Sequence, residues 1–121
     1  IGESLNEKKR NQTNKVLKNQ ISKGLRKIKK MNNIIFAYEP IWSIGTGKIP
    51  TPESLERNIN YIKKLLKKSY NIKNPKVLYG GSVDSKNIVR LNKISNIDGF
   101  LVGSASQNSN KFIDIIKKTY N

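Results

Sequence analysis

Residues 34–50 decide the fold of this chain and read IIFAYEPIWSIGTGKIP. The first five are a continuous apolar run of β-branched and aromatic side chains, which predicts a short strand buried on both faces. Residues 41–50 contain two glycines and no hydrophobic period, so they predict a loop with unusual backbone freedom. Glu39 lies where strand meets loop, and we therefore expect its carboxylate at the carboxyl end of a sheet.

Helical patterns flank this stretch on both sides. On the amino side, apolar residues at three- and four-residue steps predict a helix over residues 13–29, preceded by a loop. On the carboxyl side, Thr51 can cap a helix with Pro52 in its first position and Glu53 at the positive end of its dipole. The predicted buried stripe of that second helix is Leu55, Ile59, Ile62, Leu65 and Leu66.

The alternation of strand and helix then continues to the end of the chain. Strands are predicted over residues 76–79 and 97–102, with a short helix over residues 85–91 between them. A closing helix is predicted from residue 108 or 109, with an apolar stripe of Phe112, Ile115, Ile116 and Tyr120.

This order predicts an α/β fold with a parallel sheet and right-handed crossovers in a single domain over residues 1–121. Three strands cannot close a barrel, and an open three-stranded sheet leaves both edges unpaired. Ile1 and Gly2 read like the tail of another strand. We therefore expect a fragment that lacks half of its fold, and that folds poorly by itself.

Composition excludes several classes of function. The sequence has no cysteine or histidine, which argues against a metal site. It has neither a membrane-spanning apolar run nor a signal-peptide pattern, so a cytoplasmic protein is expected. The net charge of +16 is typical of nucleic-acid binding. However, the lysines are dispersed and accompany many asparagines and isoleucines, which favours a codon bias over a nucleic-acid partner.

Two further turns resemble anion-binding loops. Residues 80–82, GGS, and 103–106, GSAS, each follow a predicted strand and precede a helix, where free N–H groups suit a phosphate. Residues 42–48 could act as a mobile lid that excludes water from a site, or could be an ordinary connecting loop. The other features also have ordinary alternatives, because glycine-rich turns are common and a single Glu after a strand is more often a surface residue.

Residues 37–48, AYEPIWSIGTGK, resemble the signature of the triosephosphate isomerase family, including its lid. Residues 79–83 and 98–106 resemble the next two loops of that family in the right order, and residues 1–3 resemble the segment after its fifth strand. The resemblance covers essentially the whole chain. It implies the carboxyl-terminal part of a (β/α)8 TIM barrel, namely strands six to eight with helices five to eight.

The resemblance also implies roles for individual residues. Glu39 would be the base that moves a proton in the interconversion of dihydroxyacetone phosphate and D-glyceraldehyde 3-phosphate, with no cofactor or metal. Trp42 would act in the lid hinge with Glu3 near its base, and Tyr79 and Ser82 would contact the closed lid. The phosphate would be held by Gly45, Ser82, Gly103 and Ser104. The lid itself would be Trp42, Ser43, Ile44, Gly45, Thr46, Gly47 and Lys48.

Two departures from the family pattern matter. Ser104 stands where the family usually has glycine, which could weaken phosphate binding if a glycine conformation were required. The electrophilic histidine and the substrate-binding lysine and asparagine belong to the family's amino-terminal half, as does the loop that forms its homodimer. We therefore expect this chain alone to be inactive. The alternatives are a basic nucleic-acid-binding or decayed half-barrel, and another phosphate-binding barrel isomerase.

Overall fold

A computed structural model describes residues 1–31 and 33–120 of the chain. Its centre is a parallel sheet of three strands in the order β1 (Ile35–Tyr38), β2 (Lys76–Gly80) and β3 (Gly99–Leu101). Tyr38 is in register with Tyr79, which in turn is in register with Phe100. The predicted α/β fold with a parallel sheet is therefore confirmed.

Over residues 1–31 and 33–120, five α-helices and two short 3₁₀ helices connect or flank these strands. Helix α3 (Pro52–Tyr70) begins where the sequence predicted, because the Thr51 hydroxyl accepts the Ser54 N–H at 3.3 Å. It ends at Tyr70 and is followed by Asn71 in the left-handed conformation. The helices are α1 (Leu5–Lys9), α2 (Thr13–Leu25), α3 (Pro52–Tyr70), α4 (Ile88–Leu91) and α5 (Ser109–Tyr120), and the 3₁₀ helices are Ile41–Ser43 and Ser104–Gln107.

The core lies on one face of the sheet. Phe36, Tyr38, Val77 and Tyr79 point to this face and are buried against the helices, including Leu17 and Ile21 of α2, Leu55, Ile59, Ile62 and Leu66 of α3, and Ile88 and Leu91 of α4. On the opposite face Ile35 is 62% exposed and Leu101 is 44% exposed. The prediction of burial on both faces was therefore wrong for β1, because three strands cannot curve far enough to cover their own second face.

Two differences from the predicted elements lie near the amino terminus. Residues 5–9 form helix α1 instead of a loop, since Ser4 and Glu7 make a reciprocal capping box. The Ser-x-x-Glu spacing was the signal for this helix. Helix α2 ends at Leu25 rather than at residue 29, leaving Ile28 42% exposed. Gly24 and closely spaced like charges in residues 23–30 disfavour its continuation.

The later elements are shorter than predicted. Asp84 accepts the N–H groups of Lys86 and Asn87, and this local turn replaces the first part of the helix expected over residues 85–91. Strand β3 covers only three residues of the predicted 97–102, where a turn closed by Ile97 N–H on Ile94 O precedes it. Helix α5 begins where predicted, but of its expected stripe only Ile115 is fully buried.

Residues 1–3 lie along β1 in the manner of a neighbouring strand. The Ile1 nitrogen donates to Ala37 O at 2.8 Å, and Glu39 N–H donates to Ile1 O at 2.7 Å. Ile41 N–H then donates to Glu3 O at 3.0 Å. These bonds fix the position of Glu3 beside the end of β1, where the candidate site begins.

Candidate functional site

Glu39 directly follows β1 and is half-buried at the carboxyl end of the sheet. Its side chain crosses over β2 at Gly80, where an added Cβ would lie 2.5 Å from Glu39 Cγ and 2.9 Å from Oε2. On its other side, the backbone of Glu39 contacts Gly2, where an added Cβ would overlap the Glu39 carbonyl oxygen. Gly80 therefore leaves the space that the Glu39 side chain occupies, and Gly2 leaves space for the Glu39 backbone.

The base of the predicted lid is tied to a buried carboxylate. Glu3 is 1% exposed and accepts hydrogen bonds from Trp42 Nε1 at 3.0 Å and from the Tyr38 hydroxyl at 3.1 Å. Asn58 Nδ2 donates to the same Tyr38 oxygen at 2.8 Å. The Lys8 ammonium group lies 3.6 Å from the centre of the Trp42 ring, a cation–π contact. The indole is thus held by both its nitrogen and its face.

The Tyr38 hydroxyl can serve only as a donor to Glu3. Burial raises the pKa of Tyr38 well above its ordinary value, and the nearby negative charge of Glu3 raises it further, whereas the hydrogen bond from Asn58 acts in the opposite direction. The hydroxyl therefore stays protonated and satisfies the carboxylate.

The body of the lid is bonded to β2 and the loop after it. Ser43 Oγ lies 3.0 Å from the Tyr79 hydroxyl, and Ser82 Oγ donates to Ser43 O at 2.6 Å. The N–H of Gly47 donates in turn to Ser82 Oγ at 2.8 Å. Gly45 and Gly47 have φ angles of +68° and +73°, a left-handed conformation that favours glycine.

An open cleft of about 530 Å³ lies beside the lid. All four residues predicted to hold phosphate line it: Gly45, Ser82, Gly103 and Ser104. Ser104 does not adopt a positive φ, so its backbone conformation requires no glycine there. Glu39, Glu3, Trp42 and Tyr79 do not line this cleft, so the predicted base and the lid anchors are not part of its walls.

Several residues of this region were missed by the sequence analysis. Asn58 had a signal, because it is a polar residue at helical spacing from Leu55 and Ile62 on the buried stripe of α3, and it is only 8% exposed. Lys8 over Trp42, and Lys86 and Lys111 in the cleft lining, had none. Their neighbours come from distant parts of the sequence.

Within residues 1–31 and 33–120, no three histidine, cysteine or carboxylate side chains form a group that could hold a metal ion. None of the helices in these ranges combines the length and apolar character needed to cross a membrane.

Comparison with known proteins gives a consistent result. The family model described as triosephosphate isomerase matches residues 1–119. A triosephosphate isomerase of Thermodesulfovibrio yellowstonii is 40% identical over 119 residues, which are 97% of this chain and 48% of that protein. One of Mycoplasma mobile is 44% identical over 117 residues, covering 97% and 46%. The chain spans about half the length of the curated relatives it matches.

Proposed function

The chain belongs to the triosephosphate isomerase family, and we propose that it forms the carboxyl-terminal part of an isomerase barrel, with strands six to eight and helices five to eight. In the complete barrel it would interconvert dihydroxyacetone phosphate and D-glyceraldehyde 3-phosphate. The uncovered face at Ile35 and Leu101 supports this placement, since further strands are needed to enclose it.

The position of Glu39 carries the proposal. Its carboxylate extends over Gly80 at the carboxyl end of a parallel sheet, the end at which barrel enzymes keep their catalytic groups. The lid begins three residues later, at Trp42, and is bonded to Ser82 on the neighbouring loop. The base and the loop that can exclude water thus both follow β1, and the anion cleft beside them is completed by the loops after β2 and β3.

The proposed mechanism gives each of these parts one task. Glu39 takes a proton from the carbon beside the substrate carbonyl and returns it to the former carbonyl carbon. The proton of the neighbouring hydroxyl passes to the former carbonyl oxygen, so the carbonyl moves to the adjacent carbon of the substrate. Backbone N–H groups of the cleft bind the phosphate, and the lid keeps water from the intermediate. The reaction needs no cofactor or metal.

The chain does not supply every group the reaction needs. It has no histidine, so the electrophile that polarises the carbonyl would come from the amino-terminal half, together with a lysine and an asparagine that bind substrate. The full-length protein would form a homodimer through that same half.

A chimeric barrel would test the proposed function. The amino-terminal half of the Mycoplasma mobile relative is fused to residues 1–121, and triose phosphate interconversion is measured. We expect activity, and a 10²- to 10⁴-fold loss in kcat for Glu39→Gln because general base catalysis contributes about that factor.

Glu53→Gln is the matched control, because Glu53 is an exposed carboxylate in the first turn of α3. A folded chimera that ignores triose phosphates, or that keeps its kcat without the Glu39 carboxylate, would contradict the proposal.

A further inference from the structure

The charged side chains that line the anion cleft are Lys86, Lys111 and Asp84. The Asp84 carboxylate is already engaged, because its Oδ1 accepts the N–H groups of Lys86 at 2.8 Å and Asn87 at 2.9 Å. One of its oxygens is thus committed to the turn after β2, and its charge against those of the two lysines leaves the side chains of the cleft with a net charge of +1. The other polar groups of the cleft are mostly neutral backbone and hydroxyl groups, so the two lysines supply its positive side-chain charge.

Neither of these two ammonium groups is neutralised within the part of the chain that the structure describes. The ion pairs there use Lys63, Lys76 and Lys118 instead. Lys86 and Lys111 are both exposed, which leaves their charges free to act on an anion entering the cleft.

The backbone at both lysines is well fixed, although they come from different elements. Lys86 N–H is bound by Asp84 in the turn before α4, and Lys111 N–H is bound by Asn108 Oδ1 at 3.0 Å in the first turn of α5. The two elements are linked, since the Lys118 ammonium donates to Ser85 O at 3.1 Å. A fixed backbone keeps both side chains within reach of the same cleft.

We propose that Lys86 and Lys111 are specificity-determining residues that raise the affinity of this cleft for a phosphate dianion. The inference rests on the proposed function in assigning the substrate phosphate to this cleft. Backbone N–H groups give the cleft its shape for an anion, and the two lysines set how strongly that anion is attracted.

The expected effect is moderate and depends on salt. A single positive charge at the rim of a solvated site changes the affinity for a dianion by about 3- to 10-fold at low ionic strength. At 0.15 M salt the screening length is about 8 Å, so the effect should shrink as salt rises. A side chain with a purely structural role would show no such salt dependence.

The test is a titration of the ¹⁵N-labelled chimeric barrel, in which the amino-terminal half completes residues 1–121, with inorganic phosphate at pH 7.5 and low salt, followed through the amide signals of Gly45, Ser82 and Gly103. We expect saturable shifts in the wild type. Lys86→Met and Lys111→Met should each raise Kd by about 3- to 10-fold, with their effects multiplying in the double variant.

Lys111→Arg should retain most of the affinity, because it keeps the charge. Lys64→Met is the matched control: it removes an exposed lysine from α3 that does not line the cleft. The proposal is overturned if the double variant binds within twofold of the wild type, if the control weakens binding as much as Lys111→Met, or if the wild type shows no saturable shift.

The outcome is independent of the isomerase assay. Phosphate binding that depends on the two lysines would stand even if the chimeric barrel did not isomerise triose phosphates. Conversely, an active chimera whose affinity for phosphate ignored both lysines would retain the proposed function and remove this inference.

Discussion

The two edges of the sheet differ in how completely the chain buries and hydrogen-bonds the side chains around them. Around β1 and the lid, Glu3, Tyr38, Ser43 and Tyr79 are at most 1% exposed and hydrogen-bonded to one another or to the lid. Around β3 and α5, large apolar side chains are 38% to 47% exposed, namely Leu101, Phe112, Ile113 and Ile116. Of these, Phe112 and Ile116 line an open groove of about 400 Å³ between β3 and α5.

The geometry of the candidate site and the stability of the fold therefore depend on different parts of the structure. The hydrogen bonds that anchor Trp42 and hold the lid to Ser82 all come from within the chain. The apolar surface of β3 and α5 instead gains stability only if further structure covers it. The contacts that shape the candidate site are therefore made within this chain, between segments distant in sequence, while the stability of the chain depends on structure that would cover β3 and α5.

The largest expected effect tests the difference in packing between the β1 side of the sheet, with α3, and the β3 side, with α5. Ile59→Ala in α3 removes a fully buried side chain and should lower the free energy of unfolding by about 2–5 kcal/mol. Ile113→Ala in α5 removes a side chain that is 47% exposed and should cost less than about 1 kcal/mol. Urea denaturation of both variants measures these changes in the free energy of unfolding. Similar losses would mean that the two sides of the sheet are packed alike.

The next effect tests the buried anchor of the lid. Glu3→Gln keeps the size of the side chain but removes the charge that accepts from Trp42 and Tyr38, so we expect a loss of about 1.5–3 kcal/mol. Since Trp42 is the sole tryptophan of the sequence, its fluorescence should shift as well. Glu56→Gln on the exposed face of α3 is the control, and an unchanged Trp42 spectrum in Glu3→Gln would argue against the anchor.

A smaller effect concerns the space beneath Glu39. Gly80→Ala places a methyl group 2.5 Å from Glu39 Cγ, so it should cost about 1–3 kcal/mol and displace the carboxylate. Gly24→Ala in α2 meets nothing within 4 Å and should instead stabilise the chain by up to about 1 kcal/mol. Opposite signs in urea denaturation are expected, and a neutral Gly80→Ala would show that Glu39 does not pack there.

The smallest effect concerns how β3 is held to β2. Burial works to raise the pKa of Asp98, but hydrogen bonds from Lys63, the Val77 N–H and Lys76 outweigh it and lower that pKa. The stabilisation is therefore present above the unfolded pKa of about 4 and is lost as the pH falls through the lower folded value.

Asp98→Asn should remove part of the fall in stability between pH 6 and pH 3, measured as the shift of the urea midpoint. Asp114→Asn is the control: the side chain of Asp114 is 44% exposed, against 17% for the side chain of Asp98, so its pair with Lys118 is better screened. Equal pH dependence in the two variants would contradict the role given to Asp98.

Much of this architecture could be predicted because its signals are local. The cap at Thr51, the apolar stripe of α3 and the short apolar runs at β1 and β2 each depend on neighbouring residues, and the structure has all of them. The ends of α2, α4 and β3 were predicted too far out. Turns such as the one at Asp84 compete with regular structure through single hydrogen bonds, which a hydrophobic period does not reveal.

The sequence by itself determined the order of strands and helices, the parallel sheet, and the loops that carry Glu39 and the glycines, because propensity, periodicity and turn chemistry act over a few residues. Only the tertiary structure decided that Glu39 lies over Gly80, that Glu3 holds Trp42 across 39 positions of sequence, and that Lys86 and Lys111 share one cleft. Such contacts depend on how distant segments pack, and local patterns carry no record of that packing.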